Sequence, residues 1–122
     1  MIVIYGLRNC DSCRKALALV EAAGAACRFH DLRADGLPPG RLAAWLAGAG
    51  WDALLNRRST TWRALPEAEK AGLDATVARR LMERHPTLIK RPVIEAGEDL
   101  IVGLAPPQQA DLKAALQALA RR

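Results

Sequence analysis

The sequence predicts an α/β fold in which a βαβ unit, a helical middle and a ββα unit build a mixed four-stranded sheet. Three observations predict it. Two β-type runs, Ile2–Tyr5 and Cys27–Asp31, bracket a stretch whose apolar residues recur at helical spacing. Val93–Glu95 and Leu100–Val102 flank Ala96-Gly97-Glu98-Asp99, a hairpin signal. Between these two groups the chain reads as short helices separated by breakers.

The elements follow in order. Ile2-Val3-Ile4-Tyr5 ends at Gly6, and Cys10-Asp11-Ser12-Cys13 comes directly after it. Ala16, Leu17, Val20 and Ala23 carry a helix from about Asp11 to Ala23, which Gly24 stops. Cys27-Arg28-Phe29-His30-Asp31 alternates as a second strand. It is parallel to the first because a helix joins the two, with the right-handed crossover such units adopt. Gly36-Leu37-Pro38-Pro39-Gly40 is a loop, and Arg41–Ala49 is a helix closed by Gly48-Ala49-Gly50. Trp51–Asn56 reads as a turn, Ser59/Thr60 as a capped start and Pro66 as a break. A helix follows from Asp74 to Arg84, ended by His85-Pro86. After the hairpin, Pro106-Pro107 precedes a helix over Gln108–Leu119. This is a thioredoxin-type layout, about residues 1–36 and 87–122, with a helical insertion at about 37–86. Trp45, Trp51 and Trp62 are expected in the core of that insertion.

Size and composition narrow the function. The chain has 122 residues, 51% of them hydrophobic, enough for one domain with its own core. No apolar stretch reaches membrane-spanning length, and the first residues lack the pattern of a signal peptide. Three cysteines, an odd number, suit a reducing cytoplasm, where CxxC is catalytic or metal-binding rather than structural. The net charge of +5 is mostly arginine. With one Tyr, one Phe and three Trp, and no RNA-reading or helix-turn-helix pattern, direct nucleic-acid binding is not expected. The charges read as a solvated surface from which two or three arginines form a small anion site.

The chemistry is expected at the CxxC. A strand, a turn and then a helix place Cys10 at a helix N-terminus, where unpaired N–H groups and the macrodipole favour a thiolate. A cysteine of ordinary pKa is only ~3% thiolate at neutral pH, whereas a depression of about two units makes it roughly three-quarters thiolate. That depression corresponds to ~2.7 kcal/mol, for which the helix end, Arg8 and Arg14 are the nearest sources in sequence. Cys10 is thus the candidate nucleophile and Cys13, three residues on, the candidate resolving thiol. Arg91-Pro92 opens the third strand, beside the CxxC in a thioredoxin-type sheet. Pro92 is either an ordinary strand-entry proline or the site of a cis peptide, a deliberate feature that would direct the charge of Arg91 at the thiol of Cys10. Arg58, ahead of a short capped helix, is a second candidate for the same anion, which would be an oxyanion or a glutathione carboxylate. The pair Cys27-x2-His30 repeats a zinc-like spacing after Cys10-x2-Cys13. On a strand, however, Cys27 and His30 point to opposite faces, so no metal is expected and Cys27 reads as a small buried hydrophobe.

The segments YGLRNCDSCRKA, RFHDLRADGL, GWDALLNRRSTTWRAL and HPTLIKRPVI…LIVG together resemble the arsenate-reductase-related (ArsC-like) family, in its YffB/Spx-type branch. The resemblance covers Ile2 to about Leu104. It implies a thioredoxin-like fold with a helical insertion, a reactive cysteine at Cys10, arginines at Arg91 and Arg58, and a cis-proline at Pro92. It also implies a thiol–disulfide oxidoreductase without a bound cofactor, using glutathione as co-substrate or glutaredoxin as partner. Cys13 is similar to the redox switch of Spx-type regulators, which implies RNA polymerase α subunit as an alternative partner. Arsenate reduction is the other alternative. The third arginine that follows the last strand in arsenate reductases is replaced here by Gly103-Leu104-Ala105.

Overall fold

The computed structural model describes residues 1–121. The elements are β1 (Ile2–Gly6), α1 (Asp11–Ala22), β2 (Cys27–Asp31), α2 (Arg41–Ala49), α3 (Trp51–Leu54), α4 (Thr60–Ala64), α5 (Glu67–Lys70), α6 (Ala75–Arg84), a 3₁₀ turn (Pro86–Leu88), β3 (Val93–Ala96), β4 (Asp99–Val102) and α7 (Pro106–Ala120). They form two compact units. One combines Met1–Leu32 with the chain from Arg91 onward, and the other is Arg33–Lys90.

The first unit is the thioredoxin-like α/β part. Its sheet has the order β2-β1-β3-β4. β1 runs parallel to β2, with Ile2 opposite Cys27 and Tyr5 opposite His30. It runs antiparallel to β3, with Ile2 opposite Ala96 and Tyr5 opposite Val93. β3 and β4 form the expected hairpin, Val93 opposite Val102, and its turn opens on Gly97 at φ 62°. Alternation sorts the strands by face. Ile2, Ile4, Ile94, Ala96 and Ile101 are buried with Ala16 and Val20 of α1 and Leu112, Ala115 and Leu116 of α7. Val3, Tyr5 and Glu95 lie on the other face, where the Tyr5 hydroxyl donates to Glu95 Oε1 at 2.9 Å. Each fully buried Ile or Leu contributes roughly 1.5–3 kcal/mol, so this one cluster suffices to fix α1 and α7 on the sheet.

The ends of these helices follow from local chemistry. Gly24 takes φ 72° and its N–H donates to Glu21 O at 2.9 Å, while Ala25 N–H donates to Val20 O at 3.4 Å. This Schellman pairing satisfies two terminal carbonyls of α1. α7 begins at Pro106, two residues earlier than expected. Both prolines sit in its first turn, where a missing N–H costs no hydrogen bond.

The second unit is helical. Leu42, Trp45, Leu54, Leu55, Ala78, Leu81, Met82, Leu88 and Ile89 are all buried in it. Ser59 caps α4 by accepting from Trp62 N at 3.1 Å, and Asp74 caps α6 by accepting from Val77 N at 2.9 Å. The expected turn at Trp51–Asn56 is instead the short helix α3, followed by an isolated antiparallel bridge between Leu55 and Ile89. Asn56 N donates to Leu88 O at 2.8 Å and Lys90 N to Leu54 O at 2.7 Å, which ties the two ends of the bridge.

The tryptophan expectation is corrected. Trp45 is core at 1% exposure, but Trp51 and Trp62 are only half-buried. Arg57 lies 5.3 Å from the ring centroid of Trp51, and Lys70 lies 5.1 Å from that of Trp62. A cation on the outer face replaces the missing apolar cover.

Candidate active site

Gly6, Leu7 and the turn after them carry the chain from β1 to Cys10, whose N–H donates to Leu7 O at 3.2 Å. Cys10 is the N-cap residue of α1, with extended backbone at φ −98° and ψ 125°. Its carbonyl accepts from Arg14 N at 3.0 Å, the first bond of the helix. The side chain is half-buried. Cys10 makes no side-chain capping hydrogen bond of the serine or aspartate kind, so its sulfur lies beside the first turn without closing it.

Burial by itself would raise the pKa of Cys10. Hydrogen bonding from the Cys13 N–H, the Cys13 thiol and the Ser12 N–H, together with the Arg91 charge, reverses the sign and holds the thiol below its ordinary range. Cys13 behaves oppositely. It is fully buried in the first turn of α1, and its pKa is pushed up to about 12. Burial dominates. The Leu7 N–H acts against it, while donation to Cys10 and the negative charge there add to it. The two thiols are both reduced, and their surroundings differ in sign: those of Cys10 favour the anion, and those of Cys13 favour the protonated thiol.

Beside Cys13 lies a feature that the sequence pattern does not announce. A Cβ built on Gly6 would stand 2.3 Å from Cys13 Sγ and 3.3 Å from Cys13 Cβ. A glycine at the end of β1 reads simply as a strand terminator, and only the fold brings residue 13 against it.

The cations are distributed differently from their order in sequence. Arg91 is half-buried at the start of β3, its Nε enclosed, and the Arg91-Pro92 peptide is cis. Its charge acts on both sulfurs. Arg14 is turned to Asp11, one helical turn earlier, and is well exposed, so it does not serve the Cys10 sulfur. Arg8 places its guanidinium 5.2 Å from the Phe29 ring centroid, and its backbone N–H donates to Asp31 Oδ2 at 3.3 Å. Asp31 is the buried charged side chain among the described residues, at 8% exposure, and no sequence motif marks it.

Arg58 belongs to the helical unit. It is exposed, and its N–H donates to Asn56 Oδ1 at 3.1 Å. With Asp52, Asn56, Arg57 and Lys90 it lines a hollow of about 340 Å³. Arg57 is paired there with Asp52 at 2.5 Å, and Arg57, Arg58 and Lys90 are all exposed.

Cys27 is half-buried against the sheet core rather than sealed in it, and burial, with Glu21 nearby, raises its pKa. The His30 ring lies against Tyr5 at a tilt of 49°, ring centroids 5.5 Å apart. Among the described residues no three His, Cys, Asp or Glu side chains gather as a metal site, and no helix is long and apolar enough to cross a membrane.

Known proteins share this architecture. The ArsC family matches residues 5–112. An uncharacterised protein of Haemophilus influenzae is 43% identical over 103 residues, 84% of this chain and 90% of that protein. The solved structure of the YffB protein is 42% identical, with a TM-score of 0.85, over 95% of this chain and 99% of its own. An arsenate reductase (ArsC) related protein from Brucella melitensis is 41% identical, with a TM-score of 0.70, over 90% of this chain and 92% of that one.

Proposed function

The chain belongs to the ArsC family, and from that premise we propose that it is a thiol–disulfide oxidoreductase with Cys10 as nucleophile. The observation that carries this reading is the asymmetry of the pair. Hydrogen bonding and Arg91 favour the anion at half-buried Cys10, while burial keeps the proton on Cys13.

The Cys10 thiolate attacks one sulfur of a disulfide R–S–S–R′. It forms Cys10–S–S–R and expels R′–S⁻, which takes up a proton. The Cys13 thiol then gives its proton to the departing thiolate and attacks Cys10 Sγ, so that R–S⁻ leaves as R–SH and the Cys10–Cys13 disulfide closes. The substrate gains two electrons and the cysteine pair loses two. Two molecules of glutathione reopen the pair and leave as glutathione disulfide. Glutathione also serves as resolver when it, rather than Cys13, attacks the mixed disulfide.

Cys13→Ser tests the reading. Mixed with glutathione disulfide, this variant is expected to accumulate one glutathione per chain on Cys10, seen by mass spectrometry, while the parent passes on to the internal disulfide. A variant that takes up no glutathione at Cys10 sinks the proposal. Arsenate reduction is the weaker reading of the same site. Gly103-Leu104-Ala105, after β4, carries no arginine, and Gln109 Nε2 donates to Leu104 O at 3.0 Å there.

A further inference from the structure

We propose that Gly6 is a positioning residue for the cysteine pair, its missing side chain forming the socket from which the Cys13 sulfur reaches Cys10. The inference rests on the reading of Cys10 and Cys13 as a redox pair and adds a residue to it.

The geometry is restrictive. The space a Gly6 Cβ would fill is already taken by Cys13 Sγ, 2.3 Å away, with Phe29 Cζ at 3.8 Å on another side. Cys13 is fully buried and its side chain has one rotatable bond, so the sulfur cannot yield by a few tenths of an ångström as the tip of a lysine can. Gly6 itself is an ordinary β1 residue paired with Asp31, and it is absent from the glycines of positive φ. Backbone conformation therefore gives no reason for a glycine at this position. Close approach of the sulfur gives one. The neighbouring Leu7 N–H hydrogen-bonds to the Cys13 sulfur, and the Cys13 thiol hydrogen-bonds to Cys10. The end of β1 thus sets where the Cys13 sulfur stands, and that position sets whether it meets Cys10.

The test is a double-variant cycle on the full chain. Gly6→Ala alone is expected to raise the midpoint of Cys10 alkylation against pH by about one unit, a tenfold loss of thiolate below the midpoint. It is also expected to slow closure of the Cys10–Cys13 disulfide. In the Cys13→Ala background the sulfur is gone and only the 3.3 Å approach to the Cβ of residue 13 remains, so adding Gly6→Ala should leave the alkylation midpoint where Cys13→Ala alone puts it and should move the urea midpoint much less than Gly6→Ala moves it in the parent. An equal shift of the Cys10 midpoint in both backgrounds would overturn the socket, and so would no shift in either. If Gly6→Ala alone does not fold, the double variant decides. Recovery of folding in the absence of Cys13 Sγ supports the socket, and failure to fold with the sulfur removed overturns it. The parent midpoint separates this inference from its premise. A parent Cys10 that titrates as a free thiol removes the proposed function, whereas an additive cycle removes only the role of Gly6.

Discussion

Arg14 is four residues from Cys10 and Arg91 is eighty-one away, yet the distant arginine acts on the sulfur. Asp11 captures Arg14 because residues three apart on a helix meet, an i,i+3 effect that the sequence does contain. Arg91→Ala should therefore raise the Cys10 alkylation midpoint, while Arg14→Ala leaves it unchanged. Cys13 makes a second prediction at this scale. Its folded pKa of about 12 lies above that of an unfolded cysteine, so its contribution to stability is complete below the unfolded value and is lost as pH rises from there toward 12. Urea unfolding of the reduced protein at neutral and alkaline pH should show the parent losing more stability than Cys13→Ala. Equal losses would contradict the burial of that thiol. Cys10 and Cys13 were legible in the sequence, because a CxxC after a strand and before a helix places them by local geometry alone. Gly6, Asp31 and the orientations of Arg8 and Arg14 were not, because each depends on what the fold brings beside it.

Each element is held in its own way, and substitutions should separate them. Leu112 of α7 is fully buried in the sheet core, so Leu112→Ala should cost about 2–5 kcal/mol. Asp74 holds only the start of α6, and Asp74→Ala should cost about 1 kcal/mol. Urea denaturation reads both, and an Asp74 effect as large as that of Leu112 would mean that the cap does more than satisfy one N–H. The strands, α1, α2 and α6 were legible to within a residue or two, because alternation, Gly24, Gly50 and Asp74 mark them chemically. The 3₁₀ turn at Pro86–Leu88 and the helical nature of α3 were not. Three or four residues are too few for a period to show, and what holds them is the bridge to Ile89. Trp51 and Trp62 misled for a related reason, since their cover is a cation and not a second apolar layer.

At the scale of the whole molecule, the surplus of positive charge bears on which disulfides react fastest. A chain of net charge +5 should react faster with an anionic disulfide such as glutathione disulfide than with the cationic cystamine. The ratio of the two rates should fall as salt is raised, since screening at 0.15 M shortens the reach of charge to about 8 Å. A ratio near one that salt does not change would place recognition elsewhere. The fold class was readable at this scale because the order of strands and helices admits few sheets, and the hairpin closes the choice.

The most direct measurement is the alkylation rate of Cys10 in the reduced parent across pH, followed on the peptide that carries it. The account predicts a Cys10 midpoint below that of an ordinary cysteine, while Cys13 stays unreactive until strongly alkaline pH. A Cys10 that titrates near 8.5 like a free thiol, or a Cys13 that reacts alongside it, contradicts the account.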